Sequence, residues 1–203
     1  MTDDAFLQPM VVAEYLALSE VLSRATAAEW DTPSLCEGWR VREVVAHMTM
    51  PARYDDEAFM SELSPRDFDF TRLSNDLAAR DAQLPTDELL HNLRSDVLLR
   101  WEPPGGGVRG ALNHSVIHGL DIGVPLAITR PRPDESVRVV LNDLTEGGVH
   151  VHFGTIIEGR TLEATDSDWS YGSGPALRGT ECDLALMICG RTLPPGRVEG
   201  DLL

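Results

Sequence analysis

Apolar residues recur at two different periods in this chain, and the change falls near residue 130. Before that point the spacing is helical. From about Asp4 to Ala25, residues Val12, Tyr15, Leu16, Leu18, Val21 and Leu22 fit an amphipathic helix. The segment WDTPSLCEGW follows, broken by Pro33 and Gly38. A second helix is expected from about Val41 to Leu63, with Val44, Val45, Met48 and Phe59 on its apolar face. Pro51 lies inside it. Its missing N–H would have bonded the carbonyl of His47, so a kink and a freed His47 carbonyl are expected. SPRDFDFTRLSNDLAARDAQLP reads as a loop with a short helix. TDELLHNLRSDVLLRW reads as a helix with Thr86 as N-cap and Asp87 and Glu88 at the positive end of the dipole. EPPGGG, residues 102 to 107, is a break, and a last helix is expected from about Val108 to Ile122. Four main helices joined by short to moderate loops pack naturally as a four-helix bundle, here residues 1–130.

TRPRPDES, residues 129 to 136, reads as a linker. Beyond it, SVRVVL and GVHVHFG have strand composition, and the second alternates, with Val149, Val151 and Phe153 on one face and His150 and His152 on the other. RTLEAT and DWSYG suggest two further short strands. TECDLALMICG reads as a helix, with Thr180 and Asp183 at its start and Gly190 at its stop. Residues 134–203 are thus expected to form a small α+β domain, and the chain as a whole falls in the α+β class. No internal repeat or low-complexity tract is present.

Composition removes several function classes. The formal net charge of the 203-residue chain is −16, and such a surface repels phosphate backbones, so no nucleic-acid partner is expected. The sequence contains no lysine, which excludes Schiff-base chemistry on a lysine. No apolar run approaches the roughly 20 residues that span a bilayer. The acidic start MTDDAFLQPM lacks the basic region of a secretory signal, so a cytoplasmic protein without a membrane partner is expected. Cys36, Cys182 and Cys189 are an odd set that suits a reducing compartment. Cys182 and Cys189 would stand roughly 10 Å apart along one helix, too far for a disulfide, and read as small core residues.

The remaining chemistry lies in histidines. In LNHSVIHGLDIG, His114 and His118 are four apart and share a helix face. A catalytic zinc site has three protein ligands and an open position. His47, on the apolar side of the second helix, is the best third ligand, because a buried imidazole needs a partner. Spacing alone leaves the alternatives open: three ligands, or two surface imidazoles and a hydrogen-bonded core histidine. His150 and His152 are a rival pair, or a solvated strand face, and His91 is a polar helix position. GGG at 105–107 lacks the lysine of a phosphate loop, and no G-x-S-x-G occurs. Cys36 is either a nucleophile near His47 or, more simply, a loop thiol.

EWDTPSLCEGWRVREVVAHM resembles the segment W-x₂-P-[ST]-x-C-x-G-W-x-V-x-[DE]-V-V-A-H-[LM] that marks the N-terminal domain of mycothiol-dependent maleylpyruvate isomerase-like proteins, a branch of the DinB-like four-helix bundles. HSVIHGLDIGVPL is similar to that family's second metal-ligand helix. DWSYGSGPALRGTECDLALMICGR followed by VEGD resembles its small C-terminal domain. The resemblance implies a divalent metal, usually zinc, held by His47, His114 and His118, with mycothiol as thiol cosubstrate. One departure matters: the isomerases carry glutamate where this chain has His114. Three neutral ligands leave the full +2 charge, which favours the ionised form of a bound water or thiol, and the change puts maleylpyruvate itself in doubt as substrate.

By the same resemblance, Arg191 matches a family arginine and is the candidate catalytic residue, to hold a substrate carboxylate or the thiol's polar groups; the alternative is a cation at a helix C-terminus. Trp39 and Arg109 are candidates to line the cofactor site, or else a core ring and a surface ion pair. Asp121 could orient a ligand or be a solvated carboxylate. The C-terminal domain is expected to act as a lid or wall. The function implied is a metal-dependent, mycothiol-using S-transferase or cis-trans isomerase acting on a small electrophile. A metal-dependent hydrolase and a non-catalytic small-molecule binding protein are the rivals, and monomer or dimer is left open.

Overall fold

The computed structural model describes residues 4–130 and 134–200. The chain divides into two compact units, residues 1–126 and 127–203.

The first unit is helical. In order it contains α1 (Asp4–Leu22), α2 (Ala27–Trp30), α3 (Val41–Met48), α4 (Met50–Arg53), α5 (Asp56–Leu63), α6 (Phe70–Asp81), α7 (Thr86–Leu93), α8 (Asp96–Leu99) and α9 (Gly107–Gly123). The bundle core is α1, α3, α7 and α9, with α6 packed on α3. Leu7, Val11, Tyr15, Leu18 and Leu22 of α1 are buried, as are Val41, Val44, Val45 and Met48 of α3, and Leu112, Val116 and Leu120 of α9. Each set follows the i, i+3/i+4 rule of one helix face. The four-helix expectation therefore holds. By length and composition alone α1 could cross a membrane, which the count of uninterrupted apolar residues missed because Asp4, Glu14 and Glu20 break the run. Its buried residues nonetheless form part of the bundle core.

Two of the expected helices are segmented. The Val41–Leu63 helix is three pieces, α3, α4 and α5. Pro51 in the first turn of α4 cannot donate to α3, as its sequence requires. Side chains bond the neighbouring carbonyls at this break: Arg53 Nη2 donates to the Ala46 carbonyl at 2.6 Å, and Thr49 Oγ1 donates to the Val45 carbonyl at 2.7 Å. The Thr86–Trp101 helix ends at Leu93, and Ser95 caps the next one, accepting from the Leu98 N–H at 3.2 Å. The N-cap of α7 is Pro85, not Thr86, which is the first helical residue.

In the second unit, α10 (Glu135–Thr145) and α11 (Glu181–Ile188) pack together beside a four-stranded sheet of β1 (Thr161–Ala164), β2 (Ser170–Gly172), β3 (Ala176–Gly179) and β4 (Val198–Glu199). The order is β2-β1-β3-β4, with β1–β3 parallel and both edge pairings antiparallel. Leu162 of β1 and Leu177 of β3 are register partners and both buried, as are Leu184, Ala185 and Ile188 of α11. Thr180 caps α11, accepting from the Asp183 N–H at 3.2 Å, and Gly190 has a φ of 73° just past it. Cys36, Cys182 and Cys189 form no disulfide. Burial pushes the Cys182 thiol up to about 12, which suits a packing residue.

Two strand expectations are corrected. SVRVVL is the body of α10, where Val137, Val140, Leu141 and Leu144 are buried at helical spacing and Asp134 caps the start, accepting from the Val137 N–H at 3.2 Å. GVHVHFG is a 3₁₀ segment, Val149–Phe153, between glycines in the left-handed region, Gly148 and Gly154. His150 and His152 are therefore not a strand-face pair. His150 is buried and its Nδ1 donates to the Leu144 carbonyl at 2.8 Å. The side chain of His152, and residues 131–133 of the expected linker, lie outside the described residues.

Gly174, in the turn before β3, has a φ of 130° and a pro-side-chain position that would overlap the Gly159 carbonyl. Gly174→Ala is expected to destabilise the second unit by about 1–3 kcal/mol, read as a lower urea midpoint by circular dichroism; an unchanged midpoint would show that the turn can relax.

Candidate metal centre

Three segments of the first unit build the site. α3 brings His47 on the border of its buried face. α9 brings His114 and His118, one turn apart. The 31–40 loop lies against them. A β-bridge between Pro33 and Arg40 closes this loop, and Ser34 N–H donates to the Trp39 carbonyl at 2.9 Å. Gly38 takes a φ of 78° in the turn.

A proline docks the loop. Pro125 stands four residues after Asp121 and has no N–H, so the Asp121 carbonyl lacks its helical donor. The Leu35 N–H fills that place at 3.0 Å. This sets the neighbouring Cys36 against α9. Cys36 Sγ donates to Asp121 Oδ2 at 2.9 Å and lies 3.7 Å from His118 Nδ1.

The imidazoles converge. His47 Nε2 and His114 Nε2 are 3.3 Å apart. Ring centroids are 5.2 Å apart for His47–His114, 4.9 Å for His47–His118 and 4.8 Å for His114–His118. One ring nitrogen from each lies within 4.8 Å of the others. Two ligands at about 2.0–2.1 Å from a tetrahedral zinc would stand about 3.3 Å apart. The His47–His114 separation equals that edge.

Protonation suits the same purpose. A carboxylate only accepts, so the 3.0 Å contact of His118 Nδ1 with Asp121 Oδ2 places the proton on Nδ1 and the lone pair on Nε2. His114 Nδ1 meets the Tyr15 hydroxyl at 3.2 Å, which leaves its Nε2 facing His47. Burial, then the neighbouring His118 and His47, holds the His114 imidazole well below the usual histidine range, so it is neutral near pH 7. Tyr15 is fully buried, and desolvation raises its hydroxyl well above the ordinary phenol value, keeping it protonated. The donor set, three neutral-capable imidazoles with two fixed from behind, fits a divalent ion such as zinc.

Trp39 packs its ring 5.1 Å from His47 and donates through Nε1 to Asn75 Oδ1 at 3.1 Å. Trp101 lies 5.3 Å from His114. Trp39 is thus beside the histidines, as a lining residue would be. Arg109 is five residues before His114, about 140° around the helix, so it does not share the ligand face. Arg191 belongs to the second unit, following α11, where its Nη1 donates to the Cys189 carbonyl at 3.2 Å. Sequence reasoning did not find Tyr15, Trp101 or the Cys36–Asp121 contact as site features. Tyr15 meets His114 across 99 positions and Cys36 meets Asp121 across 85, and Trp101 is set beside His114 across the 102–107 break; Pro125 was a visible signal for the Cys36–Asp121 contact.

Residues 12–102 match the family model described as the mycothiol maleylpyruvate isomerase N-terminal domain. The match covers most of the first unit, from α1 to the residues just past α8. His47, Cys36 and Trp39 lie within the match; His114 and His118 lie beyond it. A crystal structure titled as the mycothiol-dependent maleylpyruvate isomerase is similar at a TM-score of 0.56 and 18% identity, covering 97% of this chain and 90% of that one. A structure of a histidine-to-alanine mutant of the mycothiol-dependent maleylpyruvate isomerase gives 0.54 and 17%, covering 94% and 89%. The maleylpyruvate isomerase likeness therefore extends in fold through both units. No curated protein matches the chain significantly.

Proposed function

We propose that this protein is a metal-dependent enzyme that uses mycothiol to transfer a thiol to, or isomerise, a small electrophile. The observation that carries the reading is the 3.3 Å approach of His47 and His114 Nε2 atoms, with His118 alongside and fixed by Asp121. The match of residues 12–102 to the isomerase N-terminal domain model supports the thiol and the substrate class.

His47, His114 and His118 would hold the ion. A divalent ion held there would supply positive charge that favours the ionised form of a thiol. Asp121 and Tyr15 keep two imidazoles turned so that Nε2 faces inward. Trp39 and Trp101 place apolar surface beside the histidines, which lowers the local dielectric and strengthens charge interactions. Arg191 keeps the role that the family resemblance implies for it, a guanidinium whose fork geometry suits a carboxylate. The absence of any charged ligand distinguishes the reading from simple copying of a glutamate-containing site and favours a broader class of electrophile than maleylpyruvate.

The test is turnover of maleylpyruvate and of model electrophiles by zinc-loaded protein, with free mycothiol followed in parallel. Activity is expected to require the thiol and to fall to background after chelation. Stoichiometric loss of thiol identifies transfer, and turnover with thiol conserved identifies isomerisation. Activity undiminished without thiol would establish hydrolysis instead, and protein that binds no metal would remove the reading altogether.

A further inference from the structure

We infer that Cys36 is a positioning residue that acts through Asp121 to fix His118 for metal binding. The inference rests on the metal reading above. It concerns a side chain that neither donates to the ion nor attacks the substrate.

Asp121 Oδ2 receives two donors at once. The His118 Nδ1–H reaches it at 3.0 Å and the Cys36 thiol at 2.9 Å. Asp121 is fully buried, and so a carboxylate that lost a donor would remain desolvated rather than find water. The backbone repeats the connection, since Leu35 N–H holds the Asp121 carbonyl at 3.0 Å. The loop therefore grips Asp121 by both its main chain and its side chain. The carboxylate cannot rotate away without breaking the contact to sulfur. His118 is held in turn, because its Nδ1–H follows the same oxygen. The result is a thiol–carboxylate–imidazole relay that presents Nε2 toward His47 and His114.

The sulfur, nitrogen and oxygen atoms of Cys36, His118 and Asp121 also form a compact group with metal-ligand chemistry. The distances to Oδ2 decide its role. Both match hydrogen bonds to a shared acceptor, and His118 cannot place its Nδ1 proton on Asp121 and bind an ion with that same nitrogen.

The experiment uses the full chain, reduced and stripped of metal, and titrates zinc against a chromophoric chelator. Asp121→Asn is expected to weaken zinc binding by about ten- to a hundredfold, as loss of a ligand's supporting partner does. Cys36→Ala is expected to weaken it by about two- to tenfold, less than Asp121→Asn because the thiol acts on the ligand only through Asp121. Cys36→Ser, which keeps a donor, is expected to recover most of that loss. Metal-free protein is followed by long-range ¹H–¹⁵N spectra of the imidazoles. His118 should be the Nδ1–H form in the parent chain and a tautomer mixture in Asp121→Asn. That spectrum needs no metal, so it reads the relay even if the zinc reading fails.

Wild-type zinc affinity in Cys36→Ala overturns the inference. Equal losses in Cys36→Ala and Cys36→Ser overturn it too, because the thiol itself would then matter rather than its proton. Two zinc ions per chain would assign Cys36 as a ligand, against the relay. If the parent chain binds no zinc while the His118 tautomer depends on Asp121 and shifts in Cys36→Ala as well, the relay stands and the metal reading falls; a tautomer unmoved in Cys36→Ala overturns the inference.

Discussion

His118→Ala is expected to cost the protein its metal and, with it, activity. Loss of a residue that merely supports a ligand lowers metal affinity by about ten- to a hundredfold. Removing one of three ligands should exceed a hundredfold on that scale. The structure gives little opportunity for replacement, since the side chains behind His118, Asp121 and Cys36, bond each other. The effect has a second, independent reading in stability. Zinc at a hundred times its Kd stabilises a folded protein by about 2.7 kcal/mol. For a chain of this size that is a rise of about 5–10 °C in Tm. The parent chain should show this rise and His118→Ala should not. His114→Ala should behave in the same way, and its effect would separate a three-histidine site from a His47–His118 pair. Equal zinc-induced shifts in parent and variants would rule out these histidines as the ligands.

Arg53→Ala is expected to have the largest effect on folding among substitutions outside the histidines. The guanidinium donates to the Ala46 carbonyl and Thr49 Oγ1 at 2.6 Å each, and its Nη2 is 3.1 Å from Asp81. It thereby does three things: it bonds a carbonyl in the last turn of α3, it ties α4 to α6, and it balances a buried carboxylate. The Arg53 and Asp81 side chains are 12% and 9% exposed, so the pair has little screening by water. Deleting one member of such a pair costs about 3–5 kcal/mol. Arg80 and Tyr54 also reach Asp81, at 3.0 and 2.6 Å, so the lower end of that range is expected. Urea denaturation of the first unit's signal would measure it. Arg53→Lys keeps the charge without the planar fork and should recover only part of the loss. Because Arg53 caps the carbonyl next to His47, zinc affinity should fall along with stability. A loss below 1 kcal/mol would show that Arg80 and Tyr54 alone satisfy Asp81.

The first unit was legible in the sequence wherever spacing and burial agreed. Val41, Val44, Val45 and Met48 mark the buried face of α3 unambiguously. The breaks within the second and third helices were less legible, because Arg94, Ser95, Thr49 and Tyr54 carry no apolar signal of their own. In the second unit, α10 was misread for a definite reason. Val137, Val139 and Val140 favour strands by composition, yet Val137, Val140, Leu141 and Leu144 occur at helical spacing. Burial of one helix face outweighed propensity. Among the site residues, His114 and His118 were visible as an i, i+4 pair and His47 as an imidazole on an apolar face. Their supports were hidden. The hydroxyl of Tyr15 meets His114 across 99 positions, and Cys36 meets Asp121 across 85. No local period encodes such contacts.

Pro125 has a consequence for how substitutions in this chain should be weighed. It acts by failing to supply a hydrogen. Almost any other residue there would bring an amide that competes with Leu35 for the Asp121 carbonyl. Winning that competition would lengthen the helix by a turn and release the loop carrying Cys36 and Trp39. The identity of the site is thus guarded in part by a ring outside it, and a change of one imino acid could unseat two aromatic and sulfur side chains without altering either.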